Sequence, residues 1–133
     1  MLTPLELGER YVLPAFRRRL VELLREKGMS YSDIASVLGI TRSAVARYLS
    51  AERGARFEPA ELRDVDTRLA KLAEDISLRR IGRREIEMGL IEEALRAMGR
   101  GYVCRLHSSL EPGATRGCRL CVELFGSYSR ESR

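Results

Sequence analysis

The stretch SYSDIASVLGITRSAVARYLS, residues 30–50, constrains the fold more than any other part of this 133-residue chain. Ser30 stands where a hydroxyl caps a helix, with Asp33 three positions further on. A helix from Tyr31 to Leu38 follows. Gly39 then supplies a turn whose backbone is closed to residues bearing a β-carbon. Thr41 caps a second helix, from Arg42 to about Leu49. Counting Tyr31 as the first residue, Ala35 is fifth, Gly39 ninth and Val45 fifteenth. Ala35 is small where two helices must cross closely. Ile34, Leu38, Ile40 and Val45 form an inward apolar set, extended by Tyr48 and Leu49. The spacing predicts a helix-turn-helix unit.

The flanking pattern is helical too. Leu2, Leu5 and Leu7 begin a short helix or arm. Pro14 suits the first turn of a longer helix that carries Val12, Phe16, Leu20, Leu23 and Leu24 and stops at Gly28. Gly54 and Pro59 mark residues 51–60 as a linker or short extended stretch. Leu62, Val65, Leu69, Leu72 and Ile76 are then spaced 3, 4, 3 and 4 apart, a two-heptad seam. Gly82 interrupts, and Ile86, Leu90, Ala94, Leu95 and Met98 give a second apolar face ending at Gly99 and Gly101. Residues 126–133 read as a polar tail expected to fray. The length allows one ordinary domain or two small ones and excludes a full (β/α)8 barrel. No apolar run approaches 18 residues and no signal-peptide pattern opens the chain, so the expectation is a cytoplasmic protein without a membrane span.

Charge indicates the class of partner. The chain carries a formal +5, and only Lys27 and Lys71 among its 24 basic residues are lysine. Arginine favours bidentate contact with phosphate and guanine edges. Residues 1–58 carry +3, residues 59–99 carry −1 and residues 100–133 carry +3. Arg42, Ser43, Ala44 and Arg47 are expected on the exposed face of the second short helix, which would enter the major groove of double-stranded DNA. The two arginines suit guanine or phosphate, Ser43 either, and Ala44 a thymine methyl. Ser30 and Thr41, or the amides they cap, are placed for backbone phosphates.

This segment resembles the lambda-repressor-like (XRE/Cro type) helix-turn-helix of transcriptional regulators. The run EKGMSYSDIASVLGITRSAVARYLS and the preceding apolar helix carry the resemblance. The wider arrangement is similar to archaeal predicted regulators that join such a domain to a helical middle and a C-terminal cysteine cluster. The resemblance implies that residues 42–47 read DNA. It also requires the helices after Pro59 to supply packing that repressor-type domains place after the recognition helix. Regulators of that arrangement often carry a further cysteine pair before the last helix, where this chain has Ser77, Leu78, Arg79 and Arg80.

A second constellation lies in residues 102–125. Cys104 and His107 are separated by two residues, Cys118 and Cys121 likewise, with a turn-rich loop between the pairs. Two short chelating pairs suit a tetrahedral zinc site, and a metal would add folding energy to a segment with few core residues. An iron–sulfur cluster is the alternative metal; buried or disulfide-forming cysteines are the alternative without one.

Catalytic motifs are missing. His107 has no acid–base partner at a telling spacing, and the glycines form no phosphate loop. The sequence therefore reads as an all-α chain in three parts. Residues 1–58 form a helix-turn-helix DNA-binding domain, 59–99 a helical segment, and 100–133 a cysteine/histidine metal-binding module with a tail. Two short heptads are marginal alone, so Leu62, Val65, Leu69, Leu72 and Ile76 either pair two copies into a homodimer or pack within the chain. The expected function is sequence-specific transcriptional regulation. The alternatives are a protein-interaction adaptor built on the helical segment and cysteine module, or binding of structured RNA through the basic ends.

Overall fold

The computed structural model describes residues 1–114 and 116–129, and every regular element among them is helical. Helix α1 (Pro4–Leu7) opens on a reciprocal cap: the Thr3 hydroxyl accepts from the Glu6 N–H, and the Glu6 carboxylate accepts from the Thr3 N–H. A π-helical turn, Gly8–Val12, leads into α2 (Leu13–Glu26). Pro14 gives the reason for that wide turn. It has no N–H to bond the carbonyl four residues back, and its ring would strike it. Phe16, Leu20 and Leu24 on α2 are fully buried.

The helix-turn-helix forms at the expected boundaries. Helix α3 spans Tyr31–Leu38 and α4 spans Arg42–Leu49. Ser30 Oγ accepts from the Asp33 N–H at 3.1 Å, and Thr41 Oγ1 from the Ala44 N–H at 3.0 Å. Gly39 takes the left-handed conformation at φ 67°. The Arg83 guanidinium, the flexible end of an exposed side chain, lies in the space a β-carbon would take.

Residues 51–60 are held down rather than extended as a free linker. The buried Arg18 guanidinium donates to the carbonyls of Gly54 (2.9 Å) and Phe57 (3.3 Å) and to the Glu58 carboxylate (3.1 Å). Phe57 stacks on Phe16 with ring centroids 6.1 Å apart. A short 3-10 turn, Pro59–Glu61, then leads to α5 (Arg63–Ser77) and α6 (Arg83–Gly99).

The two-heptad seam packs inside the chain. Val65, Leu69 and Ile76 are buried, and Leu62 and Leu72 are half-buried against the same core. That core is continuous from Leu7 through α2–α6 to Leu106. Arg19 locks α2 to α5 with a two-pronged contact to Asp66 at 2.7 and 3.2 Å. The seam thus offers no free face for a second copy, and its assignment to dimerisation gives way to intramolecular packing. The local spacing is the same in both cases, so only the partner surface on α2 and α6 decides between them.

Helices α7 (Cys104–Leu110) and α8 (Leu120–Ser129) follow. Part of the expected fraying tail, residues 126–129, is helical and docked on α6. Arg96 donates to the Tyr128 carbonyl at 2.8 Å and Arg100 to that of Ser129 at 3.0 Å. Gly99 lets α8 approach, because a β-carbon there would collide with the Phe125 carbonyl. The rest of that expected tail, residues 130–133, lies outside the described residues. Among the described residues no helix is long and apolar enough to cross a membrane.

Candidate nucleic-acid interface

The outward face of α4 follows from its period. Val45, Tyr48 and Ala44 turn inward. Arg42, Ser43 and Ala46 are exposed, and Arg47 is half-buried. This corrects one expectation: Ala44 is 4% exposed and cannot meet a base. It shares a face with Tyr48, one turn further along, and its N–H is already bonded to the Thr41 hydroxyl. Ala46 occupies the outward position instead. The signal was present in the sequence, because Ala46 stands four residues after Arg42 and three after Ser43.

Pairing separates the arginines. Arg18 and Arg19 bond Glu22, Glu58 and Asp66, and Arg100 pairs with Asp64 at 3.1 Å. These guanidiniums hold helices together. Hydrogen bonding to Asp66 raises the Arg19 guanidinium above its ordinary value. Arg42 and Arg47, by contrast, have no carboxylate partner among the described residues. They keep their full donor capacity toward an external acceptor. Ser30 and Thr41 are exposed at the N-termini of α3 and α4. Their oxygens accept internal bonds, which leaves each hydroxyl hydrogen free to donate to a phosphate.

The four expected metal ligands line one small cavity of about 20 Å³, together with Leu7 and Val103. Cys104 opens α7, His107 is buried on its next turn, and Cys118 and Cys121 flank the start of α8. Burial pushes the Cys121 thiol up, and the nearby Cys104 and Cys118 add to the effect. His107 Nε2 lies 2.8 Å from Glu111 Oε1. Glu111 also accepts from the Leu2 N–H at 2.6 Å and pairs with the amino group of Met1 at 3.5 Å. The Leu2 N–H contributes most to lowering the Glu111 carboxyl, followed by His107. Among the described residues no three His, Cys, Asp or Glu side chains converge at metal-holding positions. The expected metal-binding module is therefore a shared cavity here, not an assembled coordination shell. Glu111 stands four residues after His107, a spacing that could have marked it as the imidazole's partner, whereas its contacts with Met1 and Leu2 depend on bringing the N-terminus to α7.

Residues 12–53 match the family model described as Sigma-70, region 4. The matched span runs from the π turn through α4 and covers about a third of the chain. The segment is a helix-turn-helix DNA-binding domain related to that region, a non-catalytic regulatory module. The expected lambda-repressor type is thus met at the level of helix-turn-helix DNA binding, while the match itself is to sigma-70 region 4. No curated protein and no solved structure matches the chain.

Proposed function

We propose that the chain is a sequence-specific transcriptional regulator that reads the major groove with Arg42, Ser43, Ala46 and Arg47 and binds as a homodimer. The observation that carries this reading is the outward face of α4, where two arginines without carboxylate partners among the described residues stand on a capped helix of the right architecture. Ser30 and Thr41 would position that helix on phosphates. A single α4 spans few base pairs, so two copies reading half-sites about one helical turn apart supply the specificity.

Selection of bound DNA from a random pool tests it, using the full chain and the Arg42→Ala/Arg47→Ala variant. The wild type should return a palindromic site. The variant should lose discrimination at two or more positions, each contact being worth about 1–3 kcal/mol. Unchanged base preference would overturn the recognition-helix assignment. No affinity for duplex DNA at low salt would instead favour the adaptor reading.

The cysteine cavity supports a second part of the proposal. Cys104, His107, Cys118 and Cys121 would hold zinc, which would act as a structural cross-link between α7 and α8. Three thiols and an imidazole on one small cavity support this, as does a carboxylate on the second ring nitrogen of His107. The bound ion would supply charge compensation for the thiolates. Elemental analysis with visible absorption on anaerobically purified protein decides the matter. Stoichiometric zinc is the expected result, iron with visible absorption would replace it with a cluster, and absence of both would remove the metal.

A further inference from the structure

Four exposed arginines, Arg79, Arg80, Arg83 and Arg84, crowd the corner between α5 and α6. Three of them sit where local physics disfavours them. Helix α5 ends with the Arg80 N–H bonded to the Asp75 carbonyl and the Arg79 N–H to that of Ile76. That closure places Arg79 in the left-handed region, at φ 56°, the position usually filled by glycine. Arg83 and Arg84 form the first two residues of α6, where the positive end of the helix dipole favours acids. Glu85 bonds the Gly82 N–H, and Asp75 already answers both Lys71 and Arg80. Arg79 and Arg84 have no acidic partner among the described residues. Such an accumulation of positive charge calls for an anion from outside the chain.

Its place in the fold identifies that anion. Arg83 donates to the Ser36 carbonyl at 3.3 Å and lies against Gly39, the turn that leads into α4. Arg79 and Arg83 line one hollow of about 240 Å³ with Ser36 and Val37 of α3. The corner therefore borders the end of the helix-turn-helix from which α4 begins. The first residues of a recognition helix contact bases, and the phosphates of the flanking strand run beside that end.

We propose that the Arg79–Arg84 corner is a second DNA contact, a phosphate clamp that grips the backbone beside the groove read by α4. This rests on the DNA-binding reading above. It assigns affinity to residues outside the matched helix-turn-helix and leaves base discrimination to α4.

The test is equilibrium binding of the full chain to a mixed-sequence 30-base-pair duplex across a salt series. Three proteins are compared: wild type, Arg79→Ala/Arg84→Ala, and Arg79→Lys/Arg84→Lys. Each lost phosphate contact makes the plot of log affinity against log salt shallower by about 0.9. The alanine variant should thus flatten the slope by roughly 2 and bind about tenfold or more weakly near 0.1 M salt. The lysine variant should keep the wild-type slope, because a point charge suffices for phosphate. Both sites are exposed, and far-UV circular dichroism checks that the helices persist. A wild-type slope in the alanine variant would overturn the clamp while leaving the DNA reading intact. Failure of the wild type to bind the duplex at low salt would overturn both.

Discussion

Gly39 serves the turn through its backbone. It takes a backbone conformation that costs an L-residue about 1–2 kcal/mol, and it leaves room for the Arg83 guanidinium. Gly39→Ala should destabilise the chain by about 1–2 kcal/mol or more in urea unfolding. Adding Arg83→Ala should recover little of that loss, because the exposed guanidinium can swing aside; recovery of most of it would show that the close approach dominates. Glu93 is the other informative residue. Burial raises its carboxyl above the ordinary glutamate range, against the charges of Arg96 and Arg68. Its Oε2 accepts from Arg96 at 3.3 Å, while Oε1 lies 3.8 Å from Arg68 Nε and has no hydrogen bond among the described residues. A raised folded value means the folded state takes up the proton more readily than the unfolded one. Its contribution is then greatest below the unfolded value and declines as pH rises through the folded one. Lowering pH from about 7 to about 4 should therefore move the stability difference between wild type and Glu93→Gln in the wild type's favour. A shift the other way would show that the ion pairs outweigh burial.

The helices divide by what covers them. Capping and turn chemistry fix α3 and α4 within a few residues of sequence, which is why Ser30, Gly39 and Thr41 announce both boundaries. Helix α5 shows the opposite situation. Its 3-4 spacing promises an apolar stripe but says nothing of the surface opposite, and α2 with α6 take that place. Leu69→Ala, at a fully buried seam position, should cost about 2–5 kcal/mol. Because the seam packs within the chain, any dependence of the unfolding midpoint on protein concentration should be the same in wild type and variant. A concentration-dependent midpoint that Leu69→Ala abolishes would return the seam to a dimer interface. Helix α8 depends on a distant glycine and two arginine-to-carbonyl bonds, so its short apolar sequence did not reveal where it docks.

At the scale of the molecule, one core runs beneath the helix-turn-helix and the helices that follow it. α2 is the shared element, packed against α4 on one side and α5 and α6 on another. A fragment of residues 1–58 would expose the side of α2 that faces α5 and α6. It should show no cooperative thermal unfolding, while the full chain unfolds in a single transition by circular dichroism. A fragment that unfolds cooperatively would show that the DNA-reading unit is energetically independent of α5 and α6. The same continuity gives Arg83 its reach from α6 to the turn before α4.

The sequence by itself determined the local features: the helical class, the bounds of α3 and α4, the exposed Arg42, and the proximity in sequence of Cys118 to Cys121. These depend on caps, turns and helical period, all of which act over a few residues. Tertiary structure decided which faces are free. It turned Ala44 inward, covered the seam of α5, recruited Arg18 and Arg19 as internal clamps, and brought the N-terminus onto Glu111. Each of those outcomes is a contact between residues distant in the chain, and the same side chain serves a core or a ligand according to what folds against it.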